Sequence, residues 1–309
     1  MIKLDTLHYK TRYDFSLKVK DLHIPAGDST AIIGRNGCGK TTLLECMLGL
    51  REAEECKGEV NGVPIAKLKE NKAVLGKLGF QIQGVEFPFS SKVKDICFLH
   101  RSLYSHSDQS IYDAFDIDKL IDRKYFHCSV GERRRVDLFF ALAHHPQLVA
   151  LDEPGAGLDS LYRQRLQEQL SRRQIDHESE QLPPFTCLMT THSYQELEQC
   201  EKLILIDQGT IQFFGDKQQF MQDTLGEFRL DLRFSGDLPE EIAAMTPTFC
   251  YPDRASKGKG QTLHHHVYFG DEQLKALASK LLYHPDIQQT SVANVTEKDV
   301  FDWMANPTQ

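Results

Sequence analysis

The chain has 309 residues, 40% hydrophobic and 26% charged, a balance that suits a packed core and excludes wholesale disorder. Asp and Glu outnumber Lys and Arg by 44 to 36, and the net charge of −8 argues against a nucleic-acid binder that relies on overall basic charge. The apolar runs are far shorter than the ~18 residues that a membrane span needs, and the start of the chain lacks the pattern of a secretory signal. The eight cysteines form no Cys-x-x-Cys pair, so we expect reduced thiols in a cytosolic protein.

Strands and helices are predicted to alternate along most of the chain. Since short apolar strands that alternate with helices are typical of a parallel sheet covered on both faces, the pattern predicts an α/β fold. In chain order we predict strands at 2–9, 15–24 and 29–33, a helix from about 40, mainly helical structure at 92–126, a helix at 131–143, a strand at 148–151, a polar helix at 160–174, a loop at 175–184, a strand at 186–190 and a strand–turn–strand at 203–214.

The pattern changes after about residue 225. Apolar and polar residues alternate from Phe228 to Phe234, which predicts a half-buried strand. A helix is predicted at 271–282, and Thr296 with Asp299 resembles a capping box that opens the last helix. We therefore expect a small α+β domain over residues 226–309.

A glycine-rich segment between a predicted strand and a predicted helix carries the first chemical signal. Residues 34–41 fit the pattern G-x-x-x-x-G-K-[ST], in which backbone N–H groups and a helix N-terminus surround the phosphates of a nucleotide. Lys40 can reach the β- and γ-phosphates, and the Thr41 hydroxyl can ligate Mg²⁺. The alternative is a glycine-rich turn with a structural role only. The predicted nucleotide-binding residues here are Gly34, Arg35, Asn36, Gly37, Cys38, Gly39, Lys40, Thr41 and Thr42.

Two acidic residues follow the buried strand predicted at 148–151. Asp152 is expected to hold Mg²⁺ beside the glycine-rich loop, through water, and Glu153 to polarise the attacking water. The alternative is that Asp152 only caps the turn after its strand.

Further motifs resemble those of the ABC ATPases. The segment 128–135 resembles the L-S-G-G-Q signature, residues 78–83 resemble the Q-loop, 157–159 the D-loop and 190–192 the H-loop. Together with the glycine-rich loop they follow the family's order, and the resemblance covers about residues 1–225. Cys128, Val130 and Glu132 depart from the usual signature, and Val130 adds bulk and restricts the backbone where the signature would meet nucleotide.

The resemblance implies an ABC cassette at residues 1–225, with a parallel-sheet core, an antiparallel β subdomain and a helical subdomain at about 84–140. It also implies a head-to-tail dimer, a homodimer or a heterodimer, in which each nucleotide lies between the glycine-rich loop of one subunit and the signature of the other. Ser129, Gly131 and Asp159 would contact the partner's nucleotide.

The resemblance assigns the remaining roles around ATP and Mg²⁺. Gln83 and His192 would join Glu153 in catalysis, and Gln83 would also ligate the metal. An aromatic residue upstream of the loop would stack on adenine, for which Tyr13 is preferred over Tyr9.

The function implied is the ATPase subunit of an ABC transporter whose membrane domain is a separate permease chain. A helix of that permease would dock near the Q-loop and the segment 84–126, which would place the subunit at the cytoplasmic face of the inner membrane. Export is favoured over import. The alternatives are a soluble ABC ATPase that acts on nucleic acid or ribosomes, although no direct nucleic-acid contact is expected, and a regulatory cassette with low turnover.

Overall fold

The computed structural model describes residues 1–11, 15–82, 84, 87–180, 184–235, 242, 249–257 and 262–306. Its contacts divide the chain into two units, Met1–Phe214 and Gly215–Gln309. The division lies before the expected boundary at residue 225 because the helix after it packs within the second unit. Phe220 meets the Trp303 ring edge-on at 5.7 Å between centroids, and the Lys217 ammonium lies 2.8 Å from the Glu297 carboxylate.

The first unit is built on a ten-stranded sheet, counted over the described residues, with the order β5-β4-β1-β2-β10-β9-β3-β8-β7-β6. Its strands are β1 Ile2–Lys10, β2 Ser16–Ile24, β3 Ser29–Ile33, β4 Glu55–Val60, β5 Val63–Pro64, β6 Leu78–Gln81, β7 Leu148–Asp152, β8 Thr186–Thr190, β9 Lys202–Asp207 and β10 Thr210–Asp216.

The middle of this sheet is parallel, and its three central strands are completely buried. Strands β6, β7, β8, β3 and β9 pair in parallel, whereas β1, β2, β4 and β5 form an antiparallel region. Every residue of β3, β7 and β8 is buried, because helices cover both faces of a parallel sheet and leave no side of the strand to solvent. The predicted fold class is confirmed, including the parallel core and the antiparallel region.

Three helices of the first unit, α3, α4 and α5, lie within residues 93–142. The predicted loop at 175–184 is wrong in its first part, because α6 continues to Glu180, and no glycine or proline interrupts the sequence before Pro183. The helices are α1 Lys40–Met47, α2 Lys72–Leu75, α3 Val93–Leu103, α4 Gln109–Ala114, α5 Val130–Leu142, α6 Ser160–Glu180 and α7 Tyr194–Glu198.

The second unit is a four-stranded antiparallel sheet with the order β12-β13-β11-β14 and three helices, counted over the described residues. In β11 the apolar side chains from Phe228 to Phe234 are buried and the polar ones between them are not, as the alternation predicts. The predicted capping box is present, since Thr296 N–H donates to Asp299 Oδ2 at 2.8 Å. The elements are α8 Lys217–Leu225, β11 Phe228–Ser235, β12 Phe249–Lys257, β13 Thr262–Gly270, α9 Glu272–Leu281, β14 Ile287–Asn294 and α10 Glu297–Ala305.

Among the helices in the described part of the chain, none is both long and apolar enough to cross a membrane.

Candidate functional site

The loop between β3 and α1 has a backbone shape that only glycine allows at two positions. Gly34 has a φ of +152°, and a Cβ atom there would lie 2.2 Å from the carbonyl oxygen of Ile206. Gly39 has a φ of +111°, and a Cβ atom there would lie 2.8 Å from the ring of Phe15. The loop ends at the first turn of α1. The N–H groups of a first helical turn have no helical partner and form the positive end of the helix dipole.

Lys40 places its charge over this loop. Its side chain is buried, and Nζ donates to the carbonyl oxygens of Gly34 at 3.0 Å and Arg35 at 3.2 Å. The ammonium group is therefore held against the loop backbone, where an anionic group bound by the loop would meet it.

Asp152 is the point at which three elements meet. Its carboxylate, at the end of β7, is fully buried and accepts from the Thr41 hydroxyl of α1 at 3.0 Å to each oxygen. It also accepts from the Thr190 hydroxyl, at the end of β8, at 2.5 Å. These partners are on neighbouring elements and not in the turn after β7, so the capping alternative for Asp152 does not describe its contacts.

Glu153 has an unusual backbone conformation and lies beside His192. It has a φ of +48°, and its N–H donates to the Thr190 carbonyl oxygen at 3.1 Å and hydroxyl oxygen at 3.0 Å. His192 Nε2 lies 3.3 Å from Glu153 Oε1. Partial burial, together with the charge of Lys40, lowers the pKa of His192, which favours the neutral ring at neutral pH.

The segment 128–132 forms the start of α5. The Ser129 hydroxyl accepts from Glu132 N–H at 3.2 Å, and the Glu132 carboxylate accepts from Ser129 N–H at 2.9 Å, which is a complete capping box. Val130 is the first helical residue, so its backbone needs no glycine, and its side chain is 62% exposed. A Cβ atom at Gly131 would lie 2.7 Å from the carbonyl oxygen of Gly157, so this glycine permits a close approach between the first turn of α5 and the loop at Gly157.

The other predicted residues have more ordinary surroundings. Asp159 caps α6, since its carboxylate accepts from Tyr162 N–H at 3.1 Å. Thr42 lies in the first turn of α1, and the Tyr9 hydroxyl on β1 accepts from Arg51 at 3.0 Å. Tyr13 and Gln83 lie outside the described residues.

The described contacts gather the predicted residues into two groups. The first group joins the glycine-rich loop to Asp152, Glu153 and His192, and the second joins Ser129 and Gly131 to the loop at Gly157. Sequence reasoning gave no role to Thr190 or to Phe15, although a polar residue at the end of the apolar strand next to β7 was a signal for the first of them.

A strand, a glycine-rich loop and a helix, with a buried carboxylate at the end of a nearby parallel strand, define a P-loop nucleoside triphosphatase. Comparison with known proteins gives the family. Residues 17–156 match the family model described as ABC transporter. The chain is 32% identical over 199 residues to the aliphatic sulfonates import ATP-binding protein SsuB of Pseudomonas entomophila (strain L48), an alignment that covers 63% of this chain and 68% of that protein.

Two solved structures share the fold. An ATP-binding subunit of an ABC transporter has a TM-score of 0.62 at 18% identity, covering 72% of this chain and 92% of the other. A dimeric bacterial ABC transporter cassette has a TM-score of 0.58 at 21% identity, covering 70% of this chain and 98% of the other. The chain belongs to the ABC transporter ATP-binding subunits, and it is an ATP-binding cassette ATPase.

The expected direction of transport finds no support in these comparisons. The relative from Pseudomonas entomophila is named as an import protein, whereas the sequence features favoured export. The preference for export is therefore withdrawn.

Proposed function

We propose that this chain hydrolyses ATP as one of two cassettes that power transport through a permease on a separate polypeptide. The observation that carries the proposal is the contact network in which Thr41 and Thr190 both donate to Asp152 while Glu153 lies beside His192. This network joins the end of a phosphate-binding loop to a carboxylate suited to activate water. One chain therefore supplies the phosphate-binding loop, the buried carboxylate and the candidate base of the site.

Binding of the nucleotide would rest on the loop and on Lys40. Backbone N–H groups of residues 34–42 would surround the phosphates, and the helix dipole of α1 would add positive potential. Lys40 would exchange its two carbonyl contacts for the β- and γ-phosphates, to which it can offer a full charge. Tyr13 or Tyr9 would stack on adenine.

The residues fit a magnesium ion. Hydroxyl and carboxylate oxygens are the hard ligands that Mg²⁺ prefers, and Thr41 Oγ1 and the fully buried Asp152 carboxylate already lie within 3.0 Å of each other. Gln83 would complete the set. When bound, Mg²⁺ neutralises charge on the β- and γ-phosphates.

Hydrolysis would depend on Glu153. Its carboxylate would orient the attacking water and accept its proton, the role of a positioned general base. The neutral ring of His192 contacts this carboxylate at 3.3 Å and would hold it in place while the bond to the γ-phosphate breaks.

A second cassette would complete the site. Ser129 and Gly131 lie at the start of α5 and Asp159 caps the start of α6, and Val130 beside Ser129 is exposed. We propose that these residues act on the nucleotide held by the other subunit. The dimeric form of the structural neighbour supports this arrangement.

Exposed apolar side chains in the helical subdomain support a permease partner. Phe98 and Leu103 on α3 are 74% and 60% exposed, and the exposed rings of Phe89 and Phe126 lie 3.9 Å apart between centroids. Solvent-exposed aromatic clusters are typical of protein–protein contacts. A permease segment bound here would hold the subunit at the cytoplasmic face of the membrane. The name of the import relative favours uptake as the direction.

The experiment has two readouts on the full-length chain. The purified protein should turn over ATP, and this turnover should disappear when EDTA removes Mg²⁺. The tagged chain should be expressed in its native host and the membranes solubilised in mild detergent. A membrane protein should then co-purify with it and be identified by mass spectrometry.

The matched variants are Phe98→Ser and Tyr283→Ser, since Tyr283 is an exposed aromatic residue of the second unit. Phe98→Ser should reduce recovery of the membrane protein several-fold, and Tyr283→Ser should leave it unchanged. Recovery of ribosomes or nucleic acid in place of a membrane protein, from a chain that turns over ATP, would instead support the soluble alternative. A chain that binds ATP without turnover would support the regulatory one.

A further inference from the structure

The Glu196 carboxylate joins two turns, one that follows Glu153 and one that precedes His192. Glu196, on α7, accepts from Gly155 N–H through Oε1 at 2.8 Å, and its Oε2 accepts from the Thr191 hydroxyl. Gly155 follows β7 and Glu153, whereas Thr191 follows β8 and precedes His192. Glu196 therefore bridges the ends of two neighbouring strands.

The bridge is built into the backbone at Gly155. A Cβ atom at this position would lie 2.3 Å from Glu196 Oε1, so a larger residue here would displace the carboxylate from this contact. Arg163 Nε donates to the carbonyl oxygen of Gly155 at 3.1 Å, on the other side of the same residue. Both polar groups of Gly155 are thus held by side chains from α6 and α7.

Packing alone does not hold this region. A cavity of about 190 Å³ is lined by Glu153, His192 and Glu196 among others, so side chains do not fill the space between α6 and α7. Meanwhile Glu153 has a left-handed backbone conformation, with a φ of +48°, which is strained for a residue other than glycine and persists only where its surroundings hold it. Specific hydrogen bonds must provide that support.

We infer that Glu196 is a positioning residue for ATP hydrolysis, which fixes the spacing of the Gly155 and Thr191 turns so that His192 stays beside Glu153. The inference rests on the proposed function of Glu153 and His192. Glu196 touches neither ATP nor the attacking water, and it acts only through the two turns. Loss of the bridge should leave nucleotide binding intact, because the phosphate loop and Asp152 have their own contacts.

The test compares steady-state ATPase kinetics of Glu196→Ala, Glu196→Gln and Glu198→Ala with the unchanged chain. Glu198 is an exposed carboxylate on the same helix and is the matched control. We expect Glu196→Ala to lower kcat by roughly 10- to 100-fold, because a misplaced catalytic group has an effect of this size, with KM for ATP within twofold. Glu196→Gln keeps an oxygen acceptor for Gly155 N–H, so it should recover most of kcat.

A double-mutant cycle with Thr191→Val separates positioning from general destabilisation. The Thr191 hydroxyl also accepts from Ser193 N–H at 2.8 Å, so Thr191→Val removes more than the bridge. If both residues act through one bridge, Thr191→Val should lower kcat in the unchanged chain and have a clearly smaller effect in Glu196→Ala. Additive losses, equal losses of kcat and ATP affinity, or no change of kcat in Glu196→Ala with an unchanged melting temperature would each overturn the inference. Failure of the unchanged chain to hydrolyse ATP would instead overturn the proposed function.

Discussion

The two groups of site residues differ in where their polar groups find partners. Asp152 in the phosphate-binding group is fully buried, and Thr41 and Thr190 of the same chain satisfy it. The start of α5 in the signature group caps itself with Ser129 and Glu132 and exposes Val130. Since a buried charge must be satisfied by its own fold, the first group is assembled before any ligand arrives. The second group is capped by its own residues and partly exposed, and under the proposed function it acts on the nucleotide of another chain.

The largest effect should come from the phosphate-binding group. We expect Lys40→Ala to weaken MgATP binding strongly and to abolish measurable hydrolysis, because the ammonium is the full positive charge held against the loop. Titration with a fluorescent ATP analogue and a phosphate-release assay measure the two effects. Lys67→Ala, in the 3₁₀ segment Ile65–Glu70, is the control. Normal turnover of Lys40→Ala would exclude the loop as the ATP site.

Acid should lower the stability of the packing around α5, the helix whose first turn belongs to the signature group. His144 follows α5 and bonds through Nε2 to the Leu78 carbonyl oxygen at 3.0 Å, and His100 packs beside it with 5.6 Å between ring centroids. Burial lowers the pKa of each to about 4, with nearby positive groups adding to the effect. Both rings are therefore neutral in the folded chain and take up protons more readily when it unfolds.

The sign of the pH effect follows from this difference. Between about pH 6.5 and pH 4 the unfolded chain binds more protons, so stability falls as the pH falls, by at most about 3 kcal/mol for each ring. Urea unfolding at pH 7 and pH 5 measures the loss. We expect His100→Phe to reduce it, because phenylalanine cannot take up a proton. The change removes no hydrogen bond among the described residues, since neither nitrogen of His100 has a partner there. An equal pH dependence in this variant would contradict the assignment.

Substitution of Val130 should have the smallest effect. Its backbone is helical and its side chain exposed, so glycine relieves no strain and removes only bulk from the face offered to a partner. We expect Val130→Gly to raise dimer formation or turnover modestly and to lower the melting temperature slightly, since ordering glycine costs roughly 0.5–1 kcal/mol. A gain of turnover at a protein concentration too low for dimers would show that the side chain acts within its own chain.

Local motifs explain why much of the site could be predicted from the sequence. The loop before Lys40 and the carboxylates after β7 are contiguous patterns between clear strands and helices. By contrast, the bonds from Thr190 to Asp152 and from Gly155 to Glu196 join residues 38 and 41 positions apart. Such contacts depend on strand register and on the angle of a short helix, which periodicity does not determine. The capping box at Ser129 could have been identified, since Glu132 stands three residues later.

The most direct test of a site shared between two chains is the association state of Glu153→Gln with ATP. Removal of the base should lower hydrolysis by roughly 10²–10⁴-fold while binding persists, so ATP should accumulate in the closed form. Size-exclusion chromatography with light scattering should show a dimer with MgATP and a monomer without it, and the double variant with Lys40→Ala should stay monomeric. A Glu153→Gln protein that binds ATP and remains monomeric at high concentration would contradict the shared site.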